Sequence, residues 1–405
     1  MYIPISKINV FIALVLVIGL LNIKAVAGLK EMKTLFRPSF FRIRIYEVPF
    51  LFIIIVIIFV SVWRCYYYPP TPSDITTGAE AVAEYTVREH TMVNSVFSVT
   101  QNGNSLKPPF ITSLQIIYKY AGFPFGQVWL SSIVICLVIF LYHALNRTLH
   151  RLVAGLLIVM MMAVPEMYAY TFMILYDYSN AVFFFLAVCF VIVYFKWHRL
   201  NDLAFAGLLI GIATYLRPET LLLCFGMLLP IFFNAWKTKM EIKRILIAIT
   251  LFVLPTVLIY VSSVYIYIHY YLPGGYTIAA QINPAIGNIK AAFAQIREAT
   301  MSLIFNEQGI IYYGYFIFIF LGVLAAELFY IRRWNRVAKN CLFAILMVYI
   351  FYPLLSHALP GVSINYTVKR AYLKLFPLMV LYMANSTILM SLSNYISRWE
   401  LKKTV

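Results

Sequence analysis

Eleven apolar runs dominate the chain, at roughly 8–29, 43–64, 127–145, 152–172, 178–195, 202–217, 219–235, 245–268, 310–331, 340–357 and 373–395. Most approach the ~20 residues that a helix needs to cross the hydrocarbon core of a bilayer. Inside lipid every backbone N–H and C=O must find a partner within the protein, so only helices and closed barrels can cross it. Runs of this length predict helices, the sixth and seventh being short and nearly continuous. Composition agrees, because 63% hydrophobic and 12% charged residues leave too little polar surface to cover a water-soluble globule. The expected fold is an all-α polytopic membrane protein with about eleven transmembrane helices.

The formal charge of +17 would suggest nucleic acid in a soluble protein. Here the rule that cytoplasmic loops collect Lys and Arg accounts for it, and no nucleic-acid partner is expected. With the loop after the second run placed outside, twenty basic residues fall in inner loops and ten in the longer outer loops. The six tryptophans all fall at expected helix ends. Trp63 and Trp129 would mark the outer interface, and Trp197, Trp236, Trp334 and Trp399 the inner one. The five cysteines are scattered without metal-ligand spacing and read as small core hydrophobes.

Residues 1–42 read as an extra N-terminal helix and an inner basic loop. Ala25-Val26-Ala27 imitates a signal-peptide cleavage site, and Met32 is a possible start. Cleavage would leave Lys30 to Arg44 outside and run the next helix against its flanking charges, so a retained helix fits better. Residues 43–395 form the expected membrane domain, with outer loops 65–126 and 271–308, and 396–405 a cytoplasmic tail. Loop 65–126 opens on Tyr68-Pro69-Pro70-Thr71-Pro72, then holds an amphipathic stretch from Gly78 to Thr100 and a tyrosine-rich one from Ile111 to Tyr120. Both should be helices lying along the membrane surface. A weakly helical stretch from Ile286 to Ile304 could form a lid. Gly207 and Gly211 are spaced for close helix packing.

Ionisable residues near a bilayer are expensive and are retained for a reason. Asp74, Glu80, Lys107, Glu166, Asp177, Arg217, Glu219, His357, Lys369 and Arg370 all project to outer helix ends. Such a grouping suits a surface active site for a lipid-linked substrate better than a midplane transport path. Asp74, pinned by prolines, is placed to act as general base, its alternative role being a helix cap. Glu80 and Asp177 are further catalytic candidates, and Asp177 beside Tyr176 could position an acceptor, bind a divalent cation (Mg or Mn) or cap its helix. Arg217, before the helix-starting Pro218 and Glu219, suits a phosphate, as do Lys107, Lys369 and Arg370. A local Arg217–Glu219 pair and interfacial snorkelling are the plain alternatives. Glu219, His357 and Tyr176 are acceptor or lid candidates, and Glu166 should be either paired or functional.

The motifs in this order resemble the GT-C membrane glycosyltransferases, including the aminoarabinose transferase and protein O-mannosyltransferase types. The resemblance rests on Lys107-Pro108-Pro109, on the run Pro165 to Ala187 with YDYSNAVFFFLA, on GLLIGIATYLRPETLLL from Gly207 to Leu223, and on Val368 to Leu373 followed by Pro377. It spans about 43–395. It implies a donor sugar on a polyprenyl phosphate, Asp74 at the position of the catalytic acidic residue, and Arg217 or Arg370 holding phosphate. It further implies a lipid, glycan or protein acceptor at the outer face of a cell membrane, such as a bacterial inner membrane. The chain departs from the pattern in its extra first helix, in lacking a large soluble domain, and in spacing Asp74 and Glu80 six apart. A polymerase or ligase using a lipid-linked glycan, and a lipid or solute transporter, are the alternative functions.

Overall fold

The computed structural model describes residues 4–22, 44–71, 78–96, 108–271, 283, 287–331, 334–359 and 361–403. Among these residues there is no strand. The helices in chain order are α1 (Lys7–Asn22), α2 (Val48–Tyr67), α3 (Ala79–Glu89), α4 (Phe110–Tyr120), α5 (Val128–Leu145), α6 (Arg151–Met162) and α7 (Tyr176–Trp197). After them come α8 (Leu200–Leu216), α9 (Thr220–Lys237), α10 (Ile242–Tyr260), α11 (Ile289–Thr300), α12 (Glu307–Tyr313), α13 (Phe316–Ala326), α14 (Arg336–Ala358), α15 (Leu375–Ala384) and α16 (Thr387–Lys403).

Each of the eleven apolar runs contains helix, but fewer than eleven helices are long enough to cross a membrane unaided. Among the described residues six qualify, and two bent pairs raise the number to eight if each is one span. The pairs break by 94° between α12 and α13, at Gly314 with φ +59°, and by 56° between α15 and α16. Helices α1, α6 and α8 are apolar but shorter. The bilayer argument read the hydrophobicity correctly, while breaks and short helices inside the bundle are set by packing that periodicity does not report. The result is a multi-pass membrane protein.

Helix α7 is the centre of the bundle. Of its most apolar stretch 72% is buried inside the protein, against 17% for α2 and for α10, which keep most of their side chains for lipid. Helix α8 packs between α7 and α10, and the contact with α10 is made through backbone. A Cβ added at Gly207 would press on the carbonyl groups of Phe252 and Leu251, the latter at 2.9 Å. Thr256 Oγ1 also donates to Gly207 O at 3.0 Å. The two expected surface helices form as α3 and α4 and pack on each other, burying Ala79, Val82, Ala83 and Thr86 against Ile111, Thr112, Gln115 and Ile116. The start of α1 is tied to them, since Ile5 N donates to His90 O and Tyr120 Oη to Ile5 O.

One expected marker fails. Trp129 is 2% exposed and its Nε1 donates to Gln115 Oε1 at 2.6 Å, so it is a core residue under α4 and not an interfacial anchor. An indole at a helix end satisfies its N–H from a protein amide as well as from a headgroup. Trp63, Trp197, Trp236 and Trp399 are exposed as expected.

Replacing Gly207 by Leu should overpack the α8–α10 contact by about 1–3 kcal/mol and lower the melting temperature of the purified protein in nanodiscs. Gly19→Ala, where a Cβ meets nothing within 4 Å, is the control and should melt like the parent.

Candidate active site

Helices α2 and α8 end, and α7 and α9 begin, at the same end of the bundle. Here Arg217, freed from the helix by Pro218, turns its guanidinium onto the first turn of α7, where Nη2 donates to Asp177 Oδ2 at 2.7 Å. Asp177 is 2% exposed. Arg217 thus pairs across elements, and Glu219 acts on it only through its field. Behind the pair Asn180 Nδ2 donates to Ala213 O at 2.6 Å and to Thr220 Oγ1 at 2.9 Å, locking α7 to the α8–α9 junction.

A π-helical turn at Ile364–Val368 leads into one α turn at Lys369–Ala371 and a 3-10 turn at Tyr372–Lys374 before α15. Residues four apart share a helix face, and both Arg370 and Lys374 act electrostatically on Asp177. Lys374 is 1% exposed, with Nζ 4.8 Å from the ring centroid of Tyr352. Lys369 points round the turn, 2.8 Å from Glu166 and 3.8 Å from the centroid of the Tyr312 ring. Tyr170, 4% exposed, feels the charges of Glu166, Asp177, Arg217 and Arg370. Buried N–H donors at Arg217 Nε and Arg370 Nε have no hydrogen-bond partner among the described residues. Guanidinium donors that are dehydrated and unspent are suited to an anion with several oxygens.

The expected site residues divide by location. Asp177, Arg217, Glu219, Lys369 and Arg370 come together, with Tyr176 buried next to Asp177. Asp74 and Lys107 lie outside the described residues. The chain on the near side of each is anchored at the cluster. Thr71 O accepts from Ile174 N at 3.2 Å, and Ser61 Oγ donates to Thr171 O at 2.8 Å, tying the end of α2 to the segment before Asp177. Pro108 is buried, and Phe110 stacks edge-on against Tyr215 at 5.3 Å, two residues before Arg217. His357 ends α14, 7% exposed, one and a half turns beyond Tyr352.

Glu80 is engaged elsewhere, as the centre of a network that joins α3 to α4. Lys119 Nζ lies 2.5 Å from Glu80 Oε1 and 2.9 Å from Glu84 Oε2, Gln115 Nε2 donates to Glu80, and Arg88 pairs with Glu84 at 2.9 Å. Burial outweighs Lys119 at Glu80 and raises its carboxyl above the usual range, whereas Lys119 holds that of Glu84 below it.

Lys374, Tyr170 and Tyr352 were missed from sequence. The signal for Lys374 was present, because a lysine after one turn of the Lys369-Arg370 face, in an apolar run, is too costly to be incidental. The described groups whose charge acts on Asp177 are the guanidinium groups of Arg217 and Arg370 and the ammonium of Lys374.

No protein-family profile and no curated protein sequence matches the chain. Its fold does match a solved structure, the crystal structure of ArnT from Cupriavidus metallidurans bound to undecaprenyl phosphate, with a TM-score of 0.52 and 12% sequence identity. The chain shares the ArnT fold. The match covers 83% of this chain and 59% of that one, so the chain spans about three-fifths of the ArnT structure. At this identity the likeness carries the fold alone, and the chemistry has to be argued from the residues above.

Asp177→Asn would leave Arg217, Arg370 and Lys374 facing only Glu219 nearby, and Arg217→Gln would leave a buried carboxylate. Each single change should cost about 3–5 kcal/mol, Asp177→Asn the more, and the double variant should recover part of the loss. Strictly additive losses in a double-mutant cycle of thermal unfolding would show the pair to be uncoupled.

For Glu80 the sign is opposite to that of an ordinary paired carboxylate. A folded-state pKa raised above 4.5 gives stability at low pH that is lost as pH rises through the folded value. Glu80→Gln lacks that loss, so its melting temperature relative to the parent should climb from pH 4.5 to pH 7. Lys119→Ala should be the more damaging change at pH 7, since it leaves two carboxylates without their shared cation.

Proposed function

We propose that the chain is a GT-C-type membrane glycosyltransferase that moves a sugar from a polyprenyl-phosphate carrier to a hydroxyl acceptor on a lipid, glycan or protein. The observation carrying this reading is the cluster of the buried Lys374 and the partly buried Arg217 and Arg370 around one ion-paired carboxylate, with the Nε donors of both arginines buried and unspent. Gathering three cations in so little water is costly unless an anion completes the site. The ArnT structure of the same fold binds undecaprenyl phosphate, which is an anion of this kind on a lipid.

In the reaction the acceptor oxygen forms a bond to the anomeric carbon, the bond from that carbon to the phosphate oxygen breaks, and the electron pair stays on the phosphate. The leaving group therefore needs charge compensation more than a proton, and fixed cations in a water-poor site provide it. The acceptor proton goes to a carboxylate. Asp74 takes that role here. Asp177 is held by Arg217 and so serves to position the cations, which leaves Asp74, the acidic residue that follows Thr71 in the chain, for the base. Lys107, which precedes the buried Pro108, is assigned to the same phosphate. Glu80 acts on the reaction indirectly, by fixing α3 to α4. The polar cluster faces the outer side of the membrane if basic loops face inward.

Transfer of labelled sugar from a panel of polyprenyl-phosphate donors by purified protein in lipid tests this. Asp74→Ala should abolish transfer with melting unchanged. Lys374→Met should lower kcat about a hundredfold or more while melting no lower than the parent, because it removes a buried charge. Unchanged turnover in either variant removes that residue from the mechanism. The absence of transfer from every donor by folded protein would favour a polymerase or a transporter.

A further inference from the structure

Apart from the cationic cluster, a cavity of about 410 Å³ lies between α11, the end of α14 and the Ile364–Val368 turn. Its size falls in the ~300–1,000 Å³ range of ligand pockets. Three elements supply polar groups to it: Gln295 and Glu298 from α11, Ser356 and His357 from α14, and Ser363 and Asn365 from the turn region. Val362 and Ile364 give it an apolar side, and among the described residues no Lys or Arg lines it.

Two of these groups are held out of water without a protein partner. His357 is 7% exposed and its Nε2 has no hydrogen-bond partner among the described residues, nor has the buried Gln295 Oε1. The backbone around His357 is by contrast fully used, since its carbonyl accepts from Asn283 Nδ2 at 3.0 Å and Ser356 Oγ donates to Val362 O at 2.5 Å. A rigid frame with two buried, unspent polar atoms has the form of a recognition site, because orphaned groups of this kind are costly until a ligand satisfies them. Amides, hydroxyls and an imidazole offer donors and acceptors in mixed order, which suits vicinal hydroxyls. One apolar wall suits the C–H face of a ring. With no cation and one carboxylate, the cavity does not suit a phosphate.

We propose that this cavity binds a neutral sugar ring. Its role in transfer rests on the function proposed above, although its binding chemistry does not. Tyr352, beside Lys374, and His357 are five residues apart on α14, about 7.5 Å along the helix. The cavity and the cluster therefore share α14, on faces of the helix about 140° apart. Either the donor's sugar or an acceptor glycan could occupy it.

Saturation-transfer NMR on the protein in nanodiscs, with a panel of methyl glycosides of glucose, galactose, mannose, N-acetylglucosamine and arabinose, tests the site directly. At least one glycoside should give a signal with the parent and with Lys374→Met. The signal should fall at least threefold in Gln295→Leu, a change on a half-exposed helix face that folding tolerates, and in His357→Phe. No signal from any glycoside, or equal signals in the pocket variants, overturns the proposal whether or not transfer is ever observed. Where transfer is measured, Gln295→Leu should raise KM for one substrate alone, the donor or the acceptor, and so identify whose sugar it holds. Unchanged KM for both would overturn its place in the reaction.

Discussion

The Asp177–Arg217 ion pair joins the beginning of the most buried of the six long spans to the end of its neighbour, and the rest of the site is arranged about it. A buried charge pair gives little net stability against an apolar replacement. Its value lies in specification. It fixes which end of α7 meets which end of α8, and it leaves excess positive charge on the remaining side. Arg370 and Lys374 arrive on a segment that changes from π to α to 3-10 winding within a dozen residues, so that two cations face the pair while a third turns to Glu166.

The opposite end of the bundle is held by a separate set of polar contacts. Glu47 is buried and takes contacts from Tyr142 and Arg151, while Glu400 receives Arg44 and lies 3.0 Å from His150. Glu327 Oε1 accepts from Ile388 N at 3.0 Å and so covers the first turn after the 56° bend. Glu47, which also accepts from Arg44 N, and Glu327 cover N–H groups at helix ends that would otherwise be unsatisfied near lipid, while Glu400 ties side chains together. Of the fifteen acidic residues, Glu47, Glu327 and Glu400 are committed to such joints and Glu166, Asp177 and Glu219 to the cationic cluster.

Much of this was legible from sequence because hydrophobicity and charge follow simple rules near a bilayer. The apolar runs gave the helical segments, and the surface helices α3 and α4 followed from the prolines and asparagine-glycine breaks around them. Asp177, Arg217, Lys369 and Arg370 stood out because each was an ionisable group at an expected helix end. Their partners were not legible. Arg217 has Glu219 two residues away in sequence, yet the turn at Pro218 sends its side chain to Asp177. Glu80 looked catalytic beside Asp74 because nothing in the sequence says that Lys119, thirty-nine residues on, faces it from α4. Trp129 looked interfacial because hydropathy places helix ends but not what lies on top of them. Lys374 was passed over because its burial depends on the irregular winding before α15.

The contact of Gly207 with the backbone of α10 also decides how the site can exchange its contents. Two helices that touch carbonyl to Cα, with Thr256 bonded across, have no side chains between them to yield, so that flank of the site behaves as a fixed wall. Any movement of the Arg217 end of α8 therefore has to carry α10 with it as one body.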